Sequence, residues 1–221
     1  RDYLKVDGRP ILGIYRMDYF VKMFGSTTSA INAGLSQLRN ACIDAGVGNP
    51  YIMAMPSAYP QNAFTTYANY DIDSIGQYGW GAKYPIKHQE AVISSEVGWS
   101  NSNNLDFVPT LMPSYDLLAW DGDAGYSATK AAFKEELTWL KNTFASTMSG
   151  RTTTKKLSQK LLNLASWNEF GEGHYMSPTI GKGFDYLDAI REVFVSSGTH
   201  SHTVTDTQKA RVNKMVDQDI S

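Results

Sequence analysis

Apolar residues along this chain fall into two alternating rhythms. Short continuous runs occupy 11–15 (ILGIY), 51–55 (YIMAM), 107–111 (FVPTL) and 161–165 (LLNLA). Runs of that length, bounded by turn residues such as Asp7-Gly8-Arg9-Pro10, read as buried strands. Between them, apolar side chains return every three or four residues: Ile31, Leu35, Leu38 and Cys42; then Phe133, Leu137, Leu140, Phe144 and Met148; then Leu187, Ile190 and Phe194. That spacing gathers them on one helical face and predicts helices over 28–45, 127–148 and 184–196. Ser26 or Thr27 is available to cap the first, Gly46 closes it, and Gly150 ends the second. A weaker pattern predicts a helix over 86–97, a brief strand at 72–75 and a short terminal helix over 205–216.

Strands thus alternate with helices, and polar or aromatic residues collect after nearly every strand. Arg16 and Asp18 follow the first, Gly76, Tyr78, Gly79 and Trp80 the third, and Tyr115, Asp116, Trp120, Asp121 and Gly122 the fourth. This predicts parallel βα units with one functional rim, an α/β fold of the (β/α)8 TIM-barrel type. Only four or five units fit into 221 residues, whereas a closed eight-fold barrel takes about 250. The expectation is the C-terminal portion of a barrel over 1–198, lacking its first strands, and a tail over 199–221. No internal repeat or low-complexity segment is present, and the Ser/Thr-rich stretch 146–154 reads as a loop.

Composition narrows the function. Twenty basic and 22 acidic side chains leave a net charge of -2, without the dense basic run of a nucleic-acid or anionic-membrane binder. No apolar stretch approaches the roughly 18 residues needed to span a bilayer. Cys42, the only cysteine, excludes an intrachain disulfide, and its helical spacing predicts a small buried hydrophobe. The chain begins at Arg1 without a leader, as expected of a processed product or a fragment. Aromatics are abundant, with five Trp, 13 Tyr and nine Phe. Many sit beside Gly, Pro, Asn or Asp in loops, where their faces can stack on the C–H faces of sugar rings.

The richest stretch is Trp167-Asn168-Glu169-Phe170-Gly171-Glu172-Gly173-His174-Tyr175, directly after an apolar strand. Its glycines break any helix, so the acidic pair projects from a strand's C-terminal end, where α/β folds place their chemistry. Glu169 and Glu172, three apart, can turn both carboxyls into one cleft. Glycosidic cleavage needs such a pair: an acid for the leaving oxygen and a base or nucleophile on the sugar. Trp167 and Tyr175 are candidates for the sugar platform, Asn168 and His174 for bonds to hydroxyls, and Tyr15, Arg16, Trp120 and Asp121 for further contacts on the rim. Glu169, Glu172 and His174 are also potential metal ligands, yet no His-x-x-x-His or Cys-x-x-Cys spacing supports a metal, and His200 and His202 lack nearby acids. No Gly-x-Ser-x-Gly elbow occurs. No metal or organic cofactor is expected.

The run WNEFGEGHYMSP, followed by GFDYLDAIREVF, resembles the last barrel strand and helix of glycoside hydrolase family 99-like proteins. The opening YLKVDGRPILGIYR looks like a mid-barrel strand of the same group, including its WbsX-type relatives. WNEFGEGHY also resembles the corresponding motif of family 71 α-1,3-glucanases, and the tail THSHTVTDTQKARVN is similar to the segment after the barrel in bacterial members. The resemblance implies that Glu169 and Glu172 match the two catalytic acids of a retaining endo-α-mannosidase. Glu169 would draw the proton from the sugar's 2-hydroxyl to form a 1,2-anhydro sugar, and Glu172 would serve as acid, then base, at the glycosidic oxygen. It also implies a missing N-terminal barrel segment, supplied by the rest of the full-length protein.

The expected function is therefore hydrolysis of α-glycosidic bonds in an α-mannan- or α-glucan-like polysaccharide, with an oligo- or polysaccharide as partner and neither nucleic acid nor membrane. A polysaccharide-degrading enzyme implies a secreted or periplasmic location. The rivals are a glycosyltransferase of polysaccharide biosynthesis and a non-catalytic carbohydrate-binding barrel.

Overall fold

The computed structural model describes residues 3–6, 8–56, 60–79, 85–118, 125–144, 161–195 and 197–198. Its framework is a row of parallel strands. A two-residue β1 (Lys5–Val6) pairs antiparallel with the start of β2 (Arg9–Tyr15). β2 then runs parallel to β3 (Tyr51–Met55) in the register Ile11 opposite Tyr51 through Tyr15 opposite Met55. β3 pairs in parallel with β4 (Ser74–Gly76), and β4 with β5 (Asp106–Val108). Pro109, which has no N–H to give a ladder, interrupts the strand there. It resumes as β6 (Thr110–Leu111), whose parallel partner is β9 (Asn163–Leu164). The Pro109 carbonyl still accepts from the Asn163 N–H at 2.9 Å.

Among the described residues, neighbouring strands in this row are consecutive in the chain, apart from the short β7 (Ser114–Tyr115) and β8 (Tyr126–Ser127), which form their own antiparallel pair. A doubly wound sheet would reverse its order; an unreversed row of βα units is the wall of a (β/α) barrel. The connections carry α1 (Met17–Met23), α2 (Thr28–Asp44), α3 (Pro60–Tyr67), α4 (Ile86–Asn103) and α5 (Lys130–Trp139), the last continued by a π-helical turn, Leu140–Phe144. After β9 come an antiparallel pair, β10 (Asn168–Glu169) with β11 (His174–Tyr175), and α6 (Asp185–Phe194). No helix among the described residues is long and apolar enough to cross a membrane.

Sheet and helices close on one apolar interior. Ile52, Ala54, Ile75, Phe107 and Leu111 from the strands meet Ile31, Leu35, Phe64, Ile93, Phe133 and Leu137 from the helices, all essentially solvent-free. Burying each large side chain stabilises the fold by about 2 kcal/mol. At the N-terminal ends of the strands, Asp73 accepts from both Arg9 guanidinium nitrogens at 2.7 and 2.8 Å, from Arg39 at 2.9 Å and from the Ile52 N–H at 2.8 Å. Burial pushes this carboxyl up, but the donors together hold it below the usual carboxylate range.

Several expectations change. α4 runs on to Asn103 because its buried face continues with polar Ser100, whose hydroxyl bonds the Leu105 carbonyl, before Asn104 ends it in the left-handed region. α1 and α3 were not anticipated: α1 begins after Arg16 in a left-handed conformation and buries only Met17 fully, and among the described side chains of α3 only Phe64 and Tyr67 are fully buried, with Ala63 packed partly against the core. The brief strand at 72–75 shifts to Ser74–Gly76, Asp73 being committed to its arginines. The expected buried strand at 161–165 is short and only half-buried over Asn163–Leu164. Cys42 is half-buried rather than buried, since it lies on the outer part of α2, beyond Ile31 and Leu35. For α2 the cap is Thr27, whose hydroxyl accepts from the Ala30 N–H. The expected tail and helix over 205–216 lie outside the described residues.

Candidate active site

A cavity of about 550 Å³ opens at the C-terminal ends of the parallel strands. Each wall segment is the first few residues after a strand: Arg16 after β2, Pro56 after β3, Gln77, Tyr78 and Gly79 after β4, and Met112 after β6. Tyr15, Tyr115, Glu169, Glu172 and His174 complete the lining. In barrels this end carries chemistry, because the loops there converge while the strands below stay rigid.

The acidic motif folds as a hairpin. β10 and β11 are linked by a single 3₁₀ turn, Phe170–Glu172, and by Gly173, which adopts φ +55°. A Cβ at Gly173 would lie 2.6 Å from the Cβ of Asp116, so both backbone conformation and space demand glycine there. In the register, Glu169 faces His174 and Asn168 faces Tyr175. Side chains alternate between faces along a strand, and here one pair, Glu169 with His174, lines the cavity while the other does not.

Within the cavity, Tyr78 Oη donates to Glu169 Oε1. His174 Nδ1 lies 3.2 Å from Glu169 Oε2, a close contact without hydrogen-bond alignment. One oxygen from each glutamate and one ring nitrogen of His174 all lie within 4.8 Å of one another. The Glu172 carboxyl carries no hydrogen bond among the described residues; its main-chain carbonyl accepts from the Asp116 N–H. The His174 ring is only 1% exposed, held edge-on by Tyr78 and Tyr115 with centroids 6.1 and 5.9 Å away. Burial lowers its pKa, outweighing the upward pull of the Ala165 carbonyl and of Glu169, so the imidazole is neutral near pH 7. Burial and the bond to Glu169 raise the Tyr78 phenol, which therefore stays a proton donor. Arg16, the one cation lining the cavity among the described residues, is engaged by Asp18 through two bonds of 3.1 Å and lies over the Tyr19 ring at 4.2 Å.

Of the ten candidates named from sequence, Tyr15, Arg16, Glu169, Glu172 and His174 line this cavity. Trp167, Asn168 and Tyr175 lie outside it. Trp167 is 55% exposed, Asn168 points to solvent, and Tyr175 packs against Phe170 and Tyr186 at 5.4 and 6.4 Å. The alternation of the hairpin is what removes Asn168 and Tyr175 from the site. Trp120 and Asp121 fall outside the described residues. Gln77, Tyr78, Gly79, Pro56, Met112 and Tyr115 were not singled out as site residues, although five of the six directly follow a strand.

No curated protein matches the chain. Two solved structures of the glycoside hydrolase family 99 endo-α-mannosidase from Bacteroides thetaiotaomicron are similar to it at 13% identity and a TM-score of 0.47. One of them is in complex with BIS-TRIS-propane. Each alignment covers 86% of this chain, and 57% or 55% of the solved one. This chain thus spans under two thirds of their length. A family model described as Glycosyltransferase WbsX matches residues 1–190, from before the first described strand to within α6. The chain belongs to the WbsX family.

Proposed function

We propose that this chain carries the catalytic face of a retaining glycoside hydrolase acting on α-linked, mannan- or glucan-like saccharides. The observation that carries the reading is the presence of two carboxyls of unlike surroundings, Glu169 and Glu172, in one cavity at the strand ends. An oxygen of one lies within 4.8 Å of an oxygen of the other.

In an α-mannoside the 2-hydroxyl lies trans to the leaving oxygen, and in this reading Glu169 takes its proton as O2 attacks C1; an α-glucoside, whose 2-hydroxyl is cis, cannot follow this route. The C1–O glycosidic bond breaks with its electron pair going to the leaving oxygen, which receives the proton of Glu172. A 1,2-anhydro sugar results. Water, giving its proton to Glu172, then attacks C1; the C1–O2 bond opens, and O2 regains its proton from Glu169. Two inversions at C1 give net retention. Tyr15 and Arg16, which line the cavity, serve as contacts to the sugar.

The family's description favours a second reading, a sugar transferase, and Glu169, Glu172 and His174 form a group able to hold a metal ion. Charge argues for the hydrolase. Unless a cation is bound there, the diphosphate of a nucleotide-sugar donor would meet two acidic side chains and, among the described residues, a single lining cation already paired with Asp18. A neutral glycan meets no such repulsion. Incubating the full-length protein with α-mannan and α-glucan oligosaccharides decides between them: new reducing ends support hydrolysis, while product formed only from a nucleotide-sugar donor overturns it.

A further inference from the structure

Glu169 is expected to move protons, and its orientation depends on a residue from another part of the wall. Its Oε2 is buried against the His174 ring, without an aligned donor. With the side chain 37% exposed, the oxygen that faces the cavity is Oε1, the one to which Tyr78 donates. A carboxylate oxygen has two lone pairs, so one remains for a sugar hydroxyl while the other is held.

Tyr78 is itself fixed from two sides. Its ring packs on Tyr15 with centroids 4.9 Å apart and meets the edge of His174 at 6.1 Å. Next to it, Gly79 supplies no side chain; a Cβ there would come within 3.1 Å of Met112 Sδ and 3.3 Å of the His174 ring. The bond joins the loop after β4 to a hairpin 91 positions later in the chain. Without it, rotation of the Glu169 side chain would be limited only by the unaligned contact with His174.

We propose that Tyr78 is a positioning residue for Glu169: its hydroxyl locks the cavity-facing carboxylate oxygen in the orientation that meets the sugar's 2-hydroxyl. The proposal rests on the hydrolase reading above. Displacement of a reacting group by an ångström costs about a hundredfold in rate, and a group that acts through another adds nothing once that other is gone.

The test uses the full-length protein and the α-linked oligosaccharide that it cleaves, comparing Tyr78→Phe, Glu169→Gln and the double variant, with a melting curve for each. Expected are a fall in kcat of about 10- to 100-fold for Tyr78→Phe with KM within about threefold, an unchanged melting temperature, and a double variant no slower than Glu169→Gln alone. A silent Tyr78→Phe, a loss that multiplies with that of Glu169→Gln, or a loss matched by loss of folded protein overturns the positioning role. If Glu169→Gln itself keeps full turnover, it is the hydrolase reading that fails.

Discussion

The Asp116 N–H donates to the Glu172 carbonyl at 2.7 Å, tying the turn that bears one candidate acid to the loop after β7. Gly173 makes this approach possible, with φ +55° and Asp116 pressed against it. Gly173→Ala should cost about 2 kcal/mol through backbone strain and displacement of Asp116. In a chain of this size that lowers Tm by about 4–8 °C. Turnover should fall further than stability explains, because the displaced segment carries Glu172. A calorimetric melt paired with turnover measured well below Tm checks both parts.

Glu136, on α5, is 4% exposed. Burial, with repulsion from Glu90 and Glu135, pushes it up to about 7. A carboxyl raised in the folded state contributes its full stability below its unfolded pKa, and that contribution is lost as pH rises through the folded value. Stability should therefore decline between about pH 4.5 and 7. Glu136→Gln should be more stable than the parent by about 2 kcal/mol at pH 8, with the advantage gone near pH 4. Urea titrations at the two pH values measure it.

Asp73 titrates in the opposite sense. Its pKa is lowered in the fold, so the stability it brings is present above the unfolded carboxylate value of about 3.9 and disappears as pH falls through the folded one. Asp73→Asn leaves Arg9 and Arg39 without their shared carboxylate, at a cost of about 3 kcal/mol near pH 7. Below pH 3 the difference should shrink. Since the cluster sits at the opposite end of the strands from the cavity, KM should not move. Parallel melts at pH 7 and pH 3, with KM at pH 7, provide the check.

Metal removal separates the two functional readings. In the hydrolase reading Glu169 accepts from Tyr78 and serves as a base, so dialysis against EDTA should leave oligosaccharide cleavage within about twofold. Activity that vanishes on chelation and returns with a divalent cation would instead assign Glu169, Glu172 and His174 to a metal.

Much of the framework was legible in the sequence because buried parallel strands are written as unbroken apolar runs. Tyr51 to Met55 is the clearest, with four of its five residues buried. α2 was equally readable, its apolar face and Thr27 cap both explicit. Elements whose buried face is polar or sparse were not. The end of α4 rests on Ser100 and an Asn104 turn, and α1 starts from an arginine in a conformation rare outside glycine. At the site, composition drew attention to the whole motif from Trp167 to Tyr175. The period of two in a hairpin then divides it, and that division depends on a strand pairing that no local pattern announces. Tyr78, placed on the rim after the third strand, was not singled out for a related reason: it became a partner of Glu169 only through the meeting of two strand ends. The regular placement of the lining just after β2, β3, β4 and β6 is a signal that would have found it.

The most direct measurement is the comparison of turnover with affinity in Glu172→Gln of the full-length protein, using an α-mannan or α-glucan oligosaccharide that the parent cleaves. Loss of the proton donor should lower turnover at least about a hundredfold, while calorimetric affinity for the same oligosaccharide stays within about threefold and the melting curve is unchanged. Turnover that persists in Glu172→Gln, with normal binding, would contradict the assignment of this cavity to glycosidic cleavage by the Glu169–Glu172 pair.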